Sequence, residues 1–125
     1  MTERGESRPV VRRGPSAEIT AAVEAWPGVE VAPHRFGGVE FRLGRRELGH
    51  LHGDRIADLP FPRRVRDSLI ATGRARAHHV LPDSGWITVP IDGAGGADRG
   101  IELFRMSYER AASARGRASH DANDA

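Results

Sequence analysis

The chain has 125 residues, with 19 basic and 17 acidic side chains, six histidines and no cysteine. That is one domain's worth of sequence, able to bury a core without staples, and it excludes disulfides, thiolate zinc sites and thiol nucleophiles. No apolar run approaches the roughly 18 residues of a membrane span, so no membrane partner is expected.

Every basic residue is an arginine, and the formal net charge is only +2. With one tyrosine and no lysine, almost nothing titrates between histidine and arginine, so a high isoelectric point here reflects missing titrants. Protonating all six histidines would raise the charge to +8 (2 + 6). This is a weak electrostatic case for nucleic acid. Arg12 and Arg13 cluster, as do Arg63, Arg64 and Arg66, and a solvated arginine face accounts for them.

The stretch 1–14 is charged and lacks an apolar h-region, so no secretory signal is expected and a cytoplasmic location is the default. Residues 1–14 and 113–125 are poor in large apolar side chains and read as disordered ends. One domain is expected over 15–112.

Its first element is a helix from about Ala17 to Ala25, with Ser16 as N-cap and Ile19, Ala22, Val23 and Trp26 on one face. Pro27-Gly28 stops it. A short strand follows near Val29–Ala32, and Pro33 marks an edge. Val39, Phe41 and Leu43 then alternate with Glu40 and Arg42, the pattern of a half-buried strand. Gly44-Arg45 suits a two-residue hairpin turn. A regular register sets Arg42 against Glu47 and Phe41 against Leu48. It also puts Leu48, His50 and His52 on the apolar face, with Val39 and Phe41.

A second helix is expected over Pro62–Thr72, with Val65, Leu69 and Ile70 as its buried stripe and Gly73 as its closing residue. Strands follow at about Ala75–Leu81 and Trp86–Ile91, joined by the turn Pro82-Asp83-Ser84-Gly85. The last helix should run from near Asp98 to about Ala112, with Ile101, Phe104, Tyr108 and Ala111 at helical spacing. The order α-β-β-β-α-β-β-α predicts an α+β fold, an antiparallel sheet of about five strands with three helices packed on it.

The chemistry concentrates in His50-Leu51-His52. Alternating strand side chains send both imidazoles the same way, about 6.6 Å apart along the backbone. Two ring nitrogens on one face can hold a metal, share a proton or grip an oxygen-rich ligand.

The segment Arg46-Glu47-Leu48-Gly49-His50-Leu51-His52 resembles the Arg-Glu-x-x-His-x-His segment of the fungal luciferase domain family, whose short bacterial members have no known role. The likeness continues through the Val65–Gly73 helix, His79 with Leu81, a strand beginning at Trp86 and a C-terminal amphipathic helix. Three departures stand beside it. The family's Arg-His-Pro-Leu is His78-His79-Val80-Leu81 here, a further family histidine is missing with Asp58 as the nearest polar residue, and the long fungal N-terminal extension is lacking. The resemblance implies oxygenation of a hydroxypyrone-like phenolic compound by dioxygen, with no organic cofactor. A second likeness, from His79 through Trp86-Ile87-Thr88-Val89 to Ser107-Tyr108-Glu109, is similar to the end of YjbR-like domains, some of which have been suggested to bind DNA.

The candidate catalytic residues are His50, His52 and His79, with Arg46, Asp58 and Trp86 as candidate ligand contacts. Three readings stay open. The histidines are half-buried core residues, or one accepts a phenolic proton in a metal-free site, or all three ligate a metal, with Asp58 able to replace one. His78 should point away from His79, His34 should lie in a surface loop, and Glu47 should pair with Arg42. Gly93-Ala94-Gly95-Gly96 lacks the P-loop lysine and reads as a linker. The expected partner is a small-molecule ligand, with nucleic acid disfavoured and the chain a monomer or homodimer. The alternative is a YjbR-like module for nucleic acid or a protein.

Overall fold

The computed structural model describes residues 14–34 and 37–124, with side chains through Gly116. The segment 1–13, with Arg12 and Arg13, lies outside the described residues.

Nine elements follow one another: α1 (Pro15–Glu24), β1 (Val29–Pro33), β2 (Val39–Leu43), β3 (Arg46–His52), β4 (Ile56–Pro60), α2 (Arg63–Ala71), β5 (Arg76–Ala77), β6 (Trp86–Pro90) and α3 (Gly96–Asp124). The strands form one antiparallel sheet in the order β1-β2-β3-β4-β6-β5. The α+β class and the three helices are as the sequence predicts; the sheet has six strands, not about five. The additional strand, β4, lies at the centre between β3 and β6. Flanked on both sides, it shows no simple alternation along Ile56-Ala57-Asp58-Leu59-Pro60, which hides it from a periodicity search.

The helices cover one face. Phe41, Leu48, Leu51, Ala57, Leu59, Ile87 and Val89 from the strands meet Ile19, Val23, Leu103 and Phe104 from the helices, all buried to 1% exposure or less. Each of the larger of these side chains, all but Ala57, contributes about 1.5–3 kcal/mol through removal from water. The Phe41 and Phe104 rings meet edge to face at 5.1 Å. Trp26 leans on Tyr108 with ring centroids 5.3 Å apart, and the Tyr108 hydroxyl donates to the Pro27 carbonyl at 2.7 Å. That contact fixes the exit of α1 against α3.

Several element ends differ from expectation. Helix α1 begins at Pro15 with Gly14 as N-cap, and the Ser16 amide donates to Asp54 Oδ1 at 2.9 Å. The cap is therefore borrowed from the β3–β4 turn, 38 residues away. Helix α3 continues past Ala112 to Asp124, so the stretch 113–124 is helical along its backbone where a tail was expected. Strand β5 is only Arg76–Ala77, which leaves His78 and His79 on a loop.

The register of β2 and β3 matters most for function. Gly44-Arg45 makes the turn, with Gly44 at φ +64°, and Arg42 pairs with Glu47 as expected. The next pair is Phe41 with Gly49, so Leu48 is an extra residue in β3. This β-bulge reverses the side-chain parity of everything beyond it. Leu48 packs in the core, and His50 and His52 turn to the sheet face opposite the helices, a correction to the apolar-face placement. Gly49 makes the bulge possible. Its φ is +151°, and a Cβ there would come within 2.8 Å of both the Asp58 carbonyl and the Phe104 ring.

Candidate functional site

Beyond the bulge, cross-strand partners line up on the helix-free face. Glu40 on β2 pairs with His50 on β3, His50 with Asp58 on β4, Asp58 with Thr88 on β6, and Thr88 with Arg76 on β5. Partners directly opposite share a face, so one row of polar side chains crosses the sheet. His52 stands two residues from His50 on the same side, and the loop after β5 brings His78 and His79 over the row.

The row has one focus. Asp58 is fully buried, and its Oδ1 accepts from the Thr88 hydroxyl at 2.6 Å. Its Oδ2 faces four imidazoles: His52 Nε2 at 3.1 Å, His50 Nε2 and His78 Nε2 at 3.3 Å, and His79 Nε2 at 3.4 Å. His50 Nδ1 lies 2.7 Å from Glu47 Oε2. The His34 ring stacks on His50, with centroids 4.0 Å apart and planes 12° from parallel, and its Nδ1 lies 2.9 Å from Glu40 Oε1. Trp86 leans over His50 at 5.3 Å.

Electrostatics follow the geometry. Burial alone would push Asp58 up, but the hydrogen bonds from His50 and Thr88, with the charge of His78, hold its carboxyl well below the usual carboxylate range. Burial would likewise push His50 down, yet its bonds to Asp58 and Glu47 outweigh that and raise it to about 9. His78 is lowered, first by burial, against the pull of Asp58 and with added repulsion from His79. Its Nδ1 accepts two backbone amides, from Val80 at 3.1 Å and Leu81 at 3.0 Å. The Nδ1 lone pair is thus engaged, and the neutral ring carries its proton on Nε2, toward Asp58.

These groups floor a cleft of about 770 Å³. His34, Glu40, Arg42, Glu47, His50, His52, Asp58, His78 and His79 supply its polar lining, and Pro33, Trp86, Val80 and Leu81 its apolar lining. His79 is half exposed at the mouth, and His52 is 30% exposed below it.

The structure therefore brings together His50, His52, His79, Asp58 and Trp86. Arg46 is elsewhere, in a second cleft of about 440 Å³ with Val65, Met106 and Glu109. Three expectations are corrected. His78 reaches Asp58 alongside His79, because the strand ends at Ala77 and alternation no longer governs these two side chains. His34 lies against His50 and is no surface residue. Glu47 keeps its register opposite Arg42, but its carboxylate serves His50, while Arg42 pairs with Glu40 at 2.6 Å. The Gly at position 49 inside a strand pattern was the one available sign of a bulge.

The chain is thus an antiparallel α+β domain with an open cleft over a histidine–carboxylate floor. A model of the luciferase domain family matches residues 45–107, just over half of the chain, and the chain belongs to that family. The match contains Glu47, His50, His52, Asp58, His78, His79 and Trp86, and it ends at Ser107. No curated protein and no solved structure matches the chain.

Proposed function

We propose that the domain binds a small, oxygen-rich aromatic molecule of phenolic or enolic character in the histidine–Asp58 cleft, and that oxygenation of such a compound is the reaction class to test. The observation carrying this reading is the division of the cleft into a polar floor and an apolar wall. Imidazole groups and Arg42 offer hydrogen-bond donors to ring oxygens, and Trp86, Val80 and Leu81 offer cover for the ring itself. Val80 and Leu81 are 68% and 52% exposed at the rim, apolar surface that a flat ligand would cover.

The arginine cluster weighs against the nucleic-acid alternative. Arg63 donates to the Asp83 carbonyl, and Arg66 to the Pro82 carbonyl and to Asp67. Arg74 pairs with Glu102 at 3.0 Å. These guanidinium groups are engaged locally, chiefly in holding the loop that carries His78 and His79.

The test is calorimetric titration with simple hydroxypyrones and phenols. His79→Ala and Trp86→Ala should weaken binding severalfold while leaving the melting temperature nearly unchanged. Binding that is unaltered by both changes, or absent for every compound of the class, would refute the reading.

A further inference from the structure

We propose that His50, His52 and Asp58 form a site for one divalent first-row transition-metal ion of the kind that accepts imidazole and carboxylate together, Zn²⁺ or Fe²⁺. The inference rests on the same cleft being the functional site, and it names an ion the ligand reading does not require.

Spacing is the first argument. The donor atoms of His50, His52 and Asp58 all lie within 4.8 Å of one another. Asp58 Oδ2 is 3.1 Å from His52 Nε2 and 3.3 Å from His50 Nε2. Ligand bonds of about 2.0–2.1 Å give tetrahedral edges of about 3.3–3.4 Å and right-angle edges of about 2.9 Å. The two separations from Asp58 Oδ2 fall between these two limits.

The outer partners are also those of a metal site. A ligating histidine ordinarily donates its second ring N–H to a carboxylate, which fixes the tautomer and orients the ring. Glu47 holds His50 Nδ1 in that way at 2.7 Å, which leaves Nε2 as the nitrogen facing Asp58, where an ion would take the place of the ring proton. Ligating carboxylates are themselves held by hydrogen bonds. Asp58 has the Thr88 hydroxyl on Oδ1. His78 stands beside the same oxygen, its Nδ1 engaged by two amides and its Nε2 3.3 Å from Oδ2.

Hydrogen bonding alone does not account for the crowd. One carboxylate oxygen offers about two lone-pair sites, yet four Nε2 atoms surround Asp58 Oδ2. Among the described residues, the basic groups paired with this buried carboxylate are all imidazoles. An ion among His50, His52 and Oδ2 would displace ring protons and join both nitrogens and the carboxylate oxygen to a common centre. Two histidines and a carboxylate leave coordination positions open. The open side here faces the cleft, where His79 or a ligand oxygen can reach it.

The test uses the full chain, stripped with chelator and titrated with Zn²⁺ by calorimetry and with Co²⁺ by visible absorption. One equivalent of either ion should bind, and Co²⁺ should develop ligand-field bands. Asp58→Asn alters a fully buried group and risks the fold, so His52→Ala and Glu47→Gln carry the test. Each should lower Zn²⁺ affinity by about 10–100-fold with the far-ultraviolet dichroism unchanged. Failure to take up either ion, or uptake indifferent to both substitutions, overturns the site. Hydroxypyrone titration of the stripped protein separates the two proposals. Hydroxypyrone binding without Zn²⁺ binding removes the ion and leaves the ligand reading standing. Zn²⁺ binding that His52→Ala weakens as expected, without hydroxypyrone binding, supports the ion and removes the ligand.

Discussion

The buried hydroxyl of Ser107 on α3 donates to the Leu48 carbonyl at 2.8 Å, at the one position where β3 carries an extra residue. A bulge leaves part of the ladder unpaired, and here a helix side chain completes the pairing. The contact joins the helical layer to the parity change that turns His50 and His52 toward the cleft.

Ser107→Ala should therefore act at two levels. Leaving the Leu48 carbonyl without this donor should cost about 1–3 kcal/mol in urea unfolding. The looser bulge should also weaken ligand binding, although Ser107 lies on the side of the sheet away from the cleft. A drop in stability with binding unchanged would show that the bulge holds its shape unaided.

Gly49→Ala should be more damaging. The φ of +151° disfavours any side chain, and the new Cβ would lie 2.8 Å from the Asp58 carbonyl and from the Phe104 ring. Backbone strain and overpacking add to about 2–6 kcal/mol. Thermal unfolding should show a large fall in melting temperature, and Phe104→Leu in the same chain should recover part of it. No recovery would place the cost in the backbone alone.

Most of the fold was legible because most of it follows short-range rules. The Gly44-Arg45 turn, the alternation of Val39, Phe41 and Leu43, the closing Gly73 and the apolar stripe of α3 all name their elements directly. The site was legible in its members and less so in its arrangement. His50, His52, His79, Asp58 and Trp86 do meet, but the face they occupy depends on one inserted residue, and periodicity assumes that none is present. His34 and His78 escaped because loops carry no period: their positions come from contacts 16 and 20 residues away in sequence, with His50 and Asp58.

Glu40 supplies a pH dependence with a definite sign. Its Oε2 accepts from Arg42 at 2.6 Å and its Oε1 faces His34 Nδ1 at 2.9 Å. The Arg42 hydrogen bond, then that of His34, holds the carboxyl below its ordinary value of 4.5. A lowered folded-state value means stability that is present above 4.5 and lost as pH falls through the folded value. The native protein should thus exceed Glu40→Gln in urea midpoint at neutral pH, and the gap should shrink as pH falls below 4.5 and through the lowered folded-state value. A gap that stays constant with pH would mean that the amide preserves whatever the carboxylate contributes.

The guanidinium groups of Arg63 and Arg66 offer a last test, because two accounts of them diverge. As clamps they donate to the carbonyls of Asp83 and Pro82 and so fix the loop on which His78 and His79 ride. As a basic face they would bind phosphate backbone, with affinity falling steeply in salt. The double variant Arg63→Ala, Arg66→Ala should lose hydroxypyrone affinity severalfold. It should also speed hydrogen exchange at the Val80 and Leu81 amides, which donate to His78 Nδ1. Both effects follow from a freed loop, and neither depends on ionic strength beyond ordinary screening. If the native chain instead binds duplex DNA with a steep salt slope that the double variant abolishes, the arginines have a partner outside the molecule and the clamp is incidental.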